Sequence, residues 1–142
     1  METNAYSLLT MARAAEPLFR RRGGGSVVAI SYYGSEKAVL GYKVMGVAKA
    51  ALEAIVRTLA AELGEQNVRV NAISAGAMRT LSARGIPGFT QLYQTMPEKT
   101  PLRRNIATRD VGDAAAYLVS DLAKDVTGEI IHVDAGYHAV KS

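Results

Sequence analysis

The sequence predicts an α/β fold in which a parallel sheet is covered by helices on both faces. Two observations carry this. Stretches with apolar residues at helical spacing alternate with short, almost wholly apolar runs, in the order helix, strand, helix, strand, irregular segment, helix, strand. That order is the one produced by right-handed βαβ units.

From Glu2 to Arg22, residues Tyr6, Leu8, Leu9, Met11, Ala12, Ala15 and Leu18 recur at helical spacing, with Pro17 tightening the last turn. Arg20, Arg21 and Arg22 complement the helix dipole and Gly23, Gly24 and Gly25 end the helix. Ser26 to Tyr32 (SVVAISY) reads as a buried strand, and Gly34 to Gly41 as a loop. A long helix is expected from Tyr42 to Leu63, closed by Gly64, with Val44, Met45, Ala48, Leu52, Ile55, Val56 and Leu59 along one face. Val68 to Ser74 (VRVNAIS) is a second buried strand, and Ala75-Gly76-Ala77 forces a turn where backbone can approach a ligand. The segment from Arg79 to Asn105 holds Gly85, Pro87, Gly88, Pro97 and Pro101 and reads as irregular, with the length of a functional lid. Asp110 to Ser120 is a helix with Thr108 as N-cap, and Glu129 to Asp134 (EIIHVD) a third strand. In such sheets ligands bind at the C-terminal strand ends. Tyr32 and the Ser74–Thr80 turn both lie there.

Composition narrows the function classes. With 142 residues, 49% hydrophobic and 21% charged, the chain has the size and balance of one globular domain. It contains no cysteine, hence no disulfide, thiolate nucleophile or thiolate metal site, which fits a reducing cytoplasm. No apolar run approaches the ~18 residues of a membrane span. The net charge of +4 is scattered apart from Arg20–Arg22, and no aromatic stacking platform accompanies those arginines, so nucleic acid is not an expected partner. His132 and His138 have no partner at metal-ligand spacing and read as structural or surface residues, with no metal expected.

The residues that carry chemistry are Tyr32, Tyr42 and Lys49. Tyr42 and Lys49 are seven residues apart, roughly two helical turns and ~10 Å on nearly one face. A phenol of pKa ~10 is a poor acid at neutral pH, and a nearby ammonium is expected to lower that pKa. The trio therefore reads as a proton-handling set.

The segments SYYGSEKAVLGYKVMGVAKAALEA (Ser31–Ala54), VRVNAISAGAMRTL (Val68–Leu81), TPLRR (Thr100–Arg104) and TGEIIHVDAGY (Thr127–Tyr137) resemble the short-chain dehydrogenase/reductase superfamily. Within it, they resemble the NADH-dependent enoyl-acyl carrier protein reductases of fatty acid synthesis. Most of the superfamily places tyrosine four residues before the lysine. Here that position is Met45, and the Tyr42–Lys49 spacing of seven is similar to the enoyl reductase branch alone. Taken singly, a Tyr-x6-Lys spacing or a strand-end tyrosine pair is an ordinary coincidence; their joint placement within long matching segments is not.

The resemblance implies a Rossmann-like doubly wound parallel sheet, NADH (NAD) as cofactor, and an enoyl thioester on acyl carrier protein as substrate. It implies that Tyr42 hydrogen-bonds the thioester carbonyl, Lys49 holds the nicotinamide ribose, and Tyr32 lines the site with a proton-relay role. Met78, Arg79, Thr80, Leu81 and Ser82 would lie along the cofactor. Met45, Ser82, Ala83, Ile86 and Phe89 would form an acyl pocket beneath a flexible loop at about 79–105. A homo-oligomer, tetrameric in the family, is implied, with the first helix and the Tyr42–Leu63 helix as packing elements.

The departures are Ala77, where the family commonly has proline, and Ala135, where it has glycine. The glycine-rich loop that cradles the dinucleotide at a helix N-terminus has no counterpart. The chain is therefore expected to form the C-terminal half of the fold, three strands with flanking helices, lacking the N-terminal dinucleotide-binding strands. The Ser26–Tyr32 strand would then be a bare sheet edge prone to pairing, and weak or absent turnover is expected of the chain alone. A noncatalytic piece associating with a full-length reductase subunit is the alternative. A 3-oxoacyl reductase is disfavoured, since it would carry tyrosine at position 45.

Overall fold

The computed structural model describes residues 1–39, 41–85 and 88–140. Its helices are α1 (Ser7–Arg22, preceded by a π-helical turn at Glu2–Tyr6), α2 (Val44–Leu63), α3 (Leu81–Arg84), α4 (Phe89–Lys99) and α5 (Thr108–Val119). Its strands are β1 (Gly25–Tyr32), β2 (Val68–Ala75) and β3 (Ile130–Val133). The strands form one parallel sheet in the order β1-β2-β3. The predicted parallel α/β architecture with three strands is present, each strand within about two residues of its expected limits.

Asn67 sets the register. It takes the left-handed conformation at φ 58° that ends the short 3₁₀ turn Gly64–Gln66, which follows α2 after its expected close at Gly64. Its carbonyl accepts the Gly25 N–H at 3.1 Å and its side-chain amide donates to the Gly23 carbonyl at 3.1 Å. A Cβ at Gly24 would lie 2.6 Å from that same Asn67 carbonyl, so only glycine lets the end of α1 approach this closely. With both starts tied together, Gly25 pairs with Val68 and the ladder runs in step to Tyr32 opposite Ala75.

The two faces of the sheet are filled separately. On one, Leu8 and Ala12 of α1 and Leu52, Val56 and Leu59 of α2 pack on Ala29, Val70 and Ala72. On the other, Val111 and Leu118 of α5 pack with Ile106, Ile73 and Ala75. Central strand β2 is accordingly buried along almost its whole length. Its fully buried Asn71 donates to the Val126 carbonyl (2.9 Å) and accepts the Glu129 N–H (3.0 Å), which steers the chain into β3.

Three expectations are corrected. The segment 79–105 is not irregular: α3 and α4 form within it. The Thr80 hydroxyl accepts the Ala83 N–H at 3.1 Å and caps α3. Phe89, Leu92, Tyr93 and Met96 have the i, i+3, i+4, i+7 spacing of a helix, and Pro97 falls in the last turn of α4. The long helix starts at Val44, leaving Tyr42 on the turn before it, because Lys43 adopts φ 50°, ψ −135°. Thr108 is the first residue of α5, not its cap; Asp110 instead reaches back to accept the Ala107 N–H at 2.7 Å.

Two stability outcomes follow from these contacts. Leu118→Ala, at a fully buried position, is expected to cost about 2–5 kcal/mol in urea unfolding, whereas Leu122→Ala, 82% exposed, should change stability by less than ~0.5 kcal/mol. Ala135 sits at φ 56°, a conformation that costs a Cβ-bearing residue about 1–2 kcal/mol. Ala135→Gly relieves that strain and is expected to stabilise by ~0.5 kcal/mol after the added unfolded-state freedom of glycine is subtracted; a lower urea midpoint would contradict this.

Candidate active site

The in-step pairing of β1 and β2 brings their C-terminal ends together, and Tyr32 and Tyr42 meet at that edge. Tyr32 closes β1 and the chain turns at once into a 3₁₀ turn, Tyr33–Ser35. Tyr42, on the turn before α2, lays its ring 4.8 Å from that of Tyr32 at 55°. The ring stands directly on Gly34: a Cβ there would come within 2.5 Å of it. A Cβ at Gly46, in the first turn of α2, would meet the Gly34 carbonyl at 2.6 Å. Two glycines thus let the Tyr33–Ser35 turn, the Tyr42 ring and the start of α2 come together.

Lys49 lies on α2, half-buried, and donates its Nζ to the Ile30 carbonyl at 2.7 Å. Burial pulls its ammonium below the ordinary lysine range, while the Glu53 carboxylate one turn further opposes that shift. Glu53 is itself buried and accepts the Ser31 hydroxyl. The electrostatics of the phenols run opposite to the expectation. Burial pushes Tyr42 above the ordinary phenol value, and Tyr32 is pushed up to about 12, chiefly by burial and then by its neighbours Tyr137 and Tyr42. Among the described residues no hydrogen bond joins Lys49 to either phenol. Desolvation outweighs any attraction from the ammonium, so both tyrosines hold their protons at neutral pH. The site presents hydrogen-bond donors, not an activated phenolate.

The remaining predicted residues differ in what they touch. Met78 packs against the core around Ile73 and Ala75, immediately past β2. The Arg79 guanidinium lies 4.7 Å over the Tyr93 ring, while Thr80 caps α3 and Leu81 is exposed. Ala83 is buried, Phe89 sits 6.0 Å from Tyr93, and the sulfur of Met45 accepts the Asn4 side-chain amide at 3.7 Å. Ile86 lies outside the described residues, as does the Ser82 side chain. Sequence reasoning missed Tyr137, whose ring meets Tyr33 edge-on at 5.1 Å, and the Ser31–Glu53 pair. Glu53 had a usable signal: it is four residues from Lys49, on the same helical face.

A parallel α/β layer with two phenols at the strand ends and a lysine on the adjoining helix defines a class of α/β fold, and comparison with known proteins makes the family specific. The family model described as enoyl-(acyl carrier protein) reductase matches residues 1–138. The enoyl-[acyl-carrier-protein] reductase [NADPH] of Staphylococcus aureus (strain MRSA252) is 54% identical over 140 residues, covering 99% of this chain and 54% of that protein. The corresponding [NADH] enzyme of Rickettsia prowazekii is 50% identical over 142 residues, covering 100% and 54%. The Bacillus cereus enoyl-acyl carrier protein reductase, solved with NADP+ and indole naphthyridinone, superposes with a TM-score of 0.93 at 49% identity, over 98% of this chain and 53% of that one. The chain belongs to the enoyl-(acyl carrier protein) reductase family. It spans about half the length of the curated relatives it matches.

The burial of Tyr32 has a direct pH signature. Its folded pKa lies above that of an unfolded tyrosine, ~10, so its contribution to stability is constant below that value and is lost as pH rises from ~10 through about 12. A spectrophotometric titration of the parent minus Tyr32→Phe should show a phenol with its midpoint near 12. A midpoint near ~10 would mean that the ring is solvated.

Proposed function

We propose that this chain carries the substrate-facing half of an enoyl-acyl carrier protein reductase, which reduces the trans-2 double bond of an enoyl thioester in fatty acid biosynthesis at the expense of a reduced nicotinamide dinucleotide. The observation that carries the reading is the pair of half-buried phenols at the strand ends, 4.8 Å apart, both pushed above the ordinary phenol value by burial. When hydride reaches the β-carbon of the enoyl group, negative charge develops on the thioester oxygen. A preorganised neutral donor in a dry site stabilises that charge without reorganisation. Tyr42 is the donor in this reading. Tyr32, with a pKa pushed up to about 12, keeps its own proton and supports Tyr42 from the side.

A dinucleotide suits the other groups along the same edge. When bound, it supplies the hydride. Lys49 provides an ammonium for ribose hydroxyls, and Met78, Arg79, Thr80, Leu81 and Ser82 follow β2 where backbone and hydroxyl groups meet a cofactor at a strand end. The close approach at Gly76 supports this: a Cβ there would lie 3.0 Å from the Asp134 backbone, so the turn after β2 is held tightly against the end of β3. The relatives' names include both NADH and NADPH forms, and the reading extends to either. Met45, Ser82, Ala83, Ile86 and Phe89 are assigned to the acyl pocket, with 79–105 as a substrate-binding cover that moves through its two helices. Exposed Met11, Leu18, Val44 and Val47 on α1 and α2 support contacts with further subunits of a cytoplasmic homo-oligomer. Among the described residues no helix is long and apolar enough to cross a membrane.

The test is dinucleotide oxidation with crotonyl thioester. Because the chain spans about half the length of its relatives, it is assayed alone and joined behind the remaining part of the Staphylococcus aureus relative. Crotonyl-dependent oxidation by the joined protein is expected to fall about 10²–10³-fold in kcat with Tyr42→Phe. Turnover of a 3-oxoacyl thioester in place of crotonyl thioester, or indifference to Tyr42→Phe, would overturn the reading.

A further inference from the structure

A cluster of ionisable side chains outside this site has no role in the chemistry above. It lies beyond β3. Asp134, with its side chain only 4% exposed, accepts the Gly136 N–H on one oxygen (2.9 Å) and the His138 N–H and ring Nδ1–H on the other (2.9 Å each). This holds the His138 ring flat against that of His132, 3.8 Å away and inclined by only 19°. The edge of His132 that remains donates its Nε2–H to Glu36 at 2.6 Å. Glu36 follows directly on the Tyr33–Ser35 turn, with its N–H bonded to the Tyr33 carbonyl at 3.0 Å.

The sheet order makes this contact unusual. The turn leaves the end of β1, yet His132 is on β3, with β2 between them. Glu36 therefore reaches across about two strand spacings, ~10 Å, to meet it. The edge-on contact of Tyr33 with Tyr137 makes the same crossing. Beneath these contacts, Gly34 of the same turn is the surface on which the Tyr42 ring stands.

We propose that Glu36 and His132 are positioning residues for Tyr42. They pin the Tyr33–Glu36 turn to the end of β3, with Asp134 and His138 orienting His132, and the pinned turn fixes where the Tyr42 hydroxyl points. This deepens the reading of Tyr42 as the hydrogen-bond donor to substrate, on which it rests. The pair is too exposed, 20% and 36%, to contribute much to global stability, so its effect is on geometry. The turn already packs on the Tyr42 ring and the start of α2 through Gly34 and Gly46. Tyr33–Tyr137 and Glu36–His132 add two anchors on its other side, at the end of β3.

The test labels all seven tyrosines of the full chain with 3-fluorotyrosine and follows the Tyr42 ¹⁹F resonance, assigned by Tyr42→Phe. Exposed Tyr6 and Tyr117 serve as controls. Gly34→Ala, which drives a methyl into the ring, calibrates the response to a changed floor. In Glu36→Ala the Tyr42 signal is expected to shift and its titration midpoint to fall, as the ring loses burial, while Tyr6 and Tyr117 stay in place. Glu36→Gln retains an acceptor for His132 and is expected to restore most of the parental position. An unchanged Tyr42 signal and midpoint in Glu36→Ala overturns the proposal, and so do control signals that move together with Tyr42, which mark general loosening. The readout needs neither cofactor nor turnover. Failure of the reductase reading appears in the crotonyl assay and leaves this result unaffected.

Discussion

The in-step parallel pairing of β1 with β2 is the constraint on which everything else in this molecule depends. Parallel neighbours end on the same side of a sheet, so Tyr32 and Ala75 finish side by side and the segments that follow them leave from one edge. Had the ladder slipped by one residue, the faces of β1 would exchange and Tyr32 would turn away from Tyr42. Asn67 prevents the slip by tying the start of one strand to the start of the other. The same residue ends the 3₁₀ turn that follows the helix carrying Lys49, so the placement of the candidate site at one end of the sheet is controlled from the opposite end.

Close approach is the second theme, and it works through the absence of side chains. Gly34 and Gly46 remove the two Cβ atoms that would hold the Tyr42 ring and the first turn of α2 away from the end of β1. The resulting contact dries the phenols. Desolvation then governs their chemistry: it raises both tyrosines, lowers Lys49, and yields an edge of neutral hydroxyls next to one costly ammonium. That balance suits a reaction in which negative charge appears on substrate only in the transition state. A permanently ionised phenol would repel that charge.

Much of this was legible in the residues. The apolar run at Val68–Ser74 predicted a strand buried on both faces, because a strand with helices above and below has no polar side to display. The run at Ser26–Tyr32 predicted a buried strand too, but β1 forms at the sheet edge and is largely half-buried, with Ile30 exposed. The Arg20–Arg22 and Gly23–Gly25 pair marked the end of α1, where Gly23 takes the left-handed conformation at φ 75°. The helices at 81–99 were missed because five glycines and prolines weighed more than the spacing of Phe89, Leu92, Tyr93 and Met96. A glycine before a helix and a proline in its last turn are compatible with the helix between them. The start of α2 was misjudged for another reason: the apolar period runs on through the turn at Tyr42, and nothing in it announces the positive φ of Lys43.

By itself the sequence determined which chemical groups are available, on which kind of element each lies, and, through the Tyr42–Lys49 spacing and the matching segments around it, the family. Those are local properties, written in spacing and residue type. Only the tertiary structure decided the protonation state of the phenols, the partner of Lys49 and the crossing of Glu36 to His132 over an intervening strand. Each depends on distances between residues far apart in the chain and on how much water remains between them. Seven-residue spacing suggested an ammonium lowering a phenol's pKa; the fold instead removed water from the phenol, and desolvation reversed the sign.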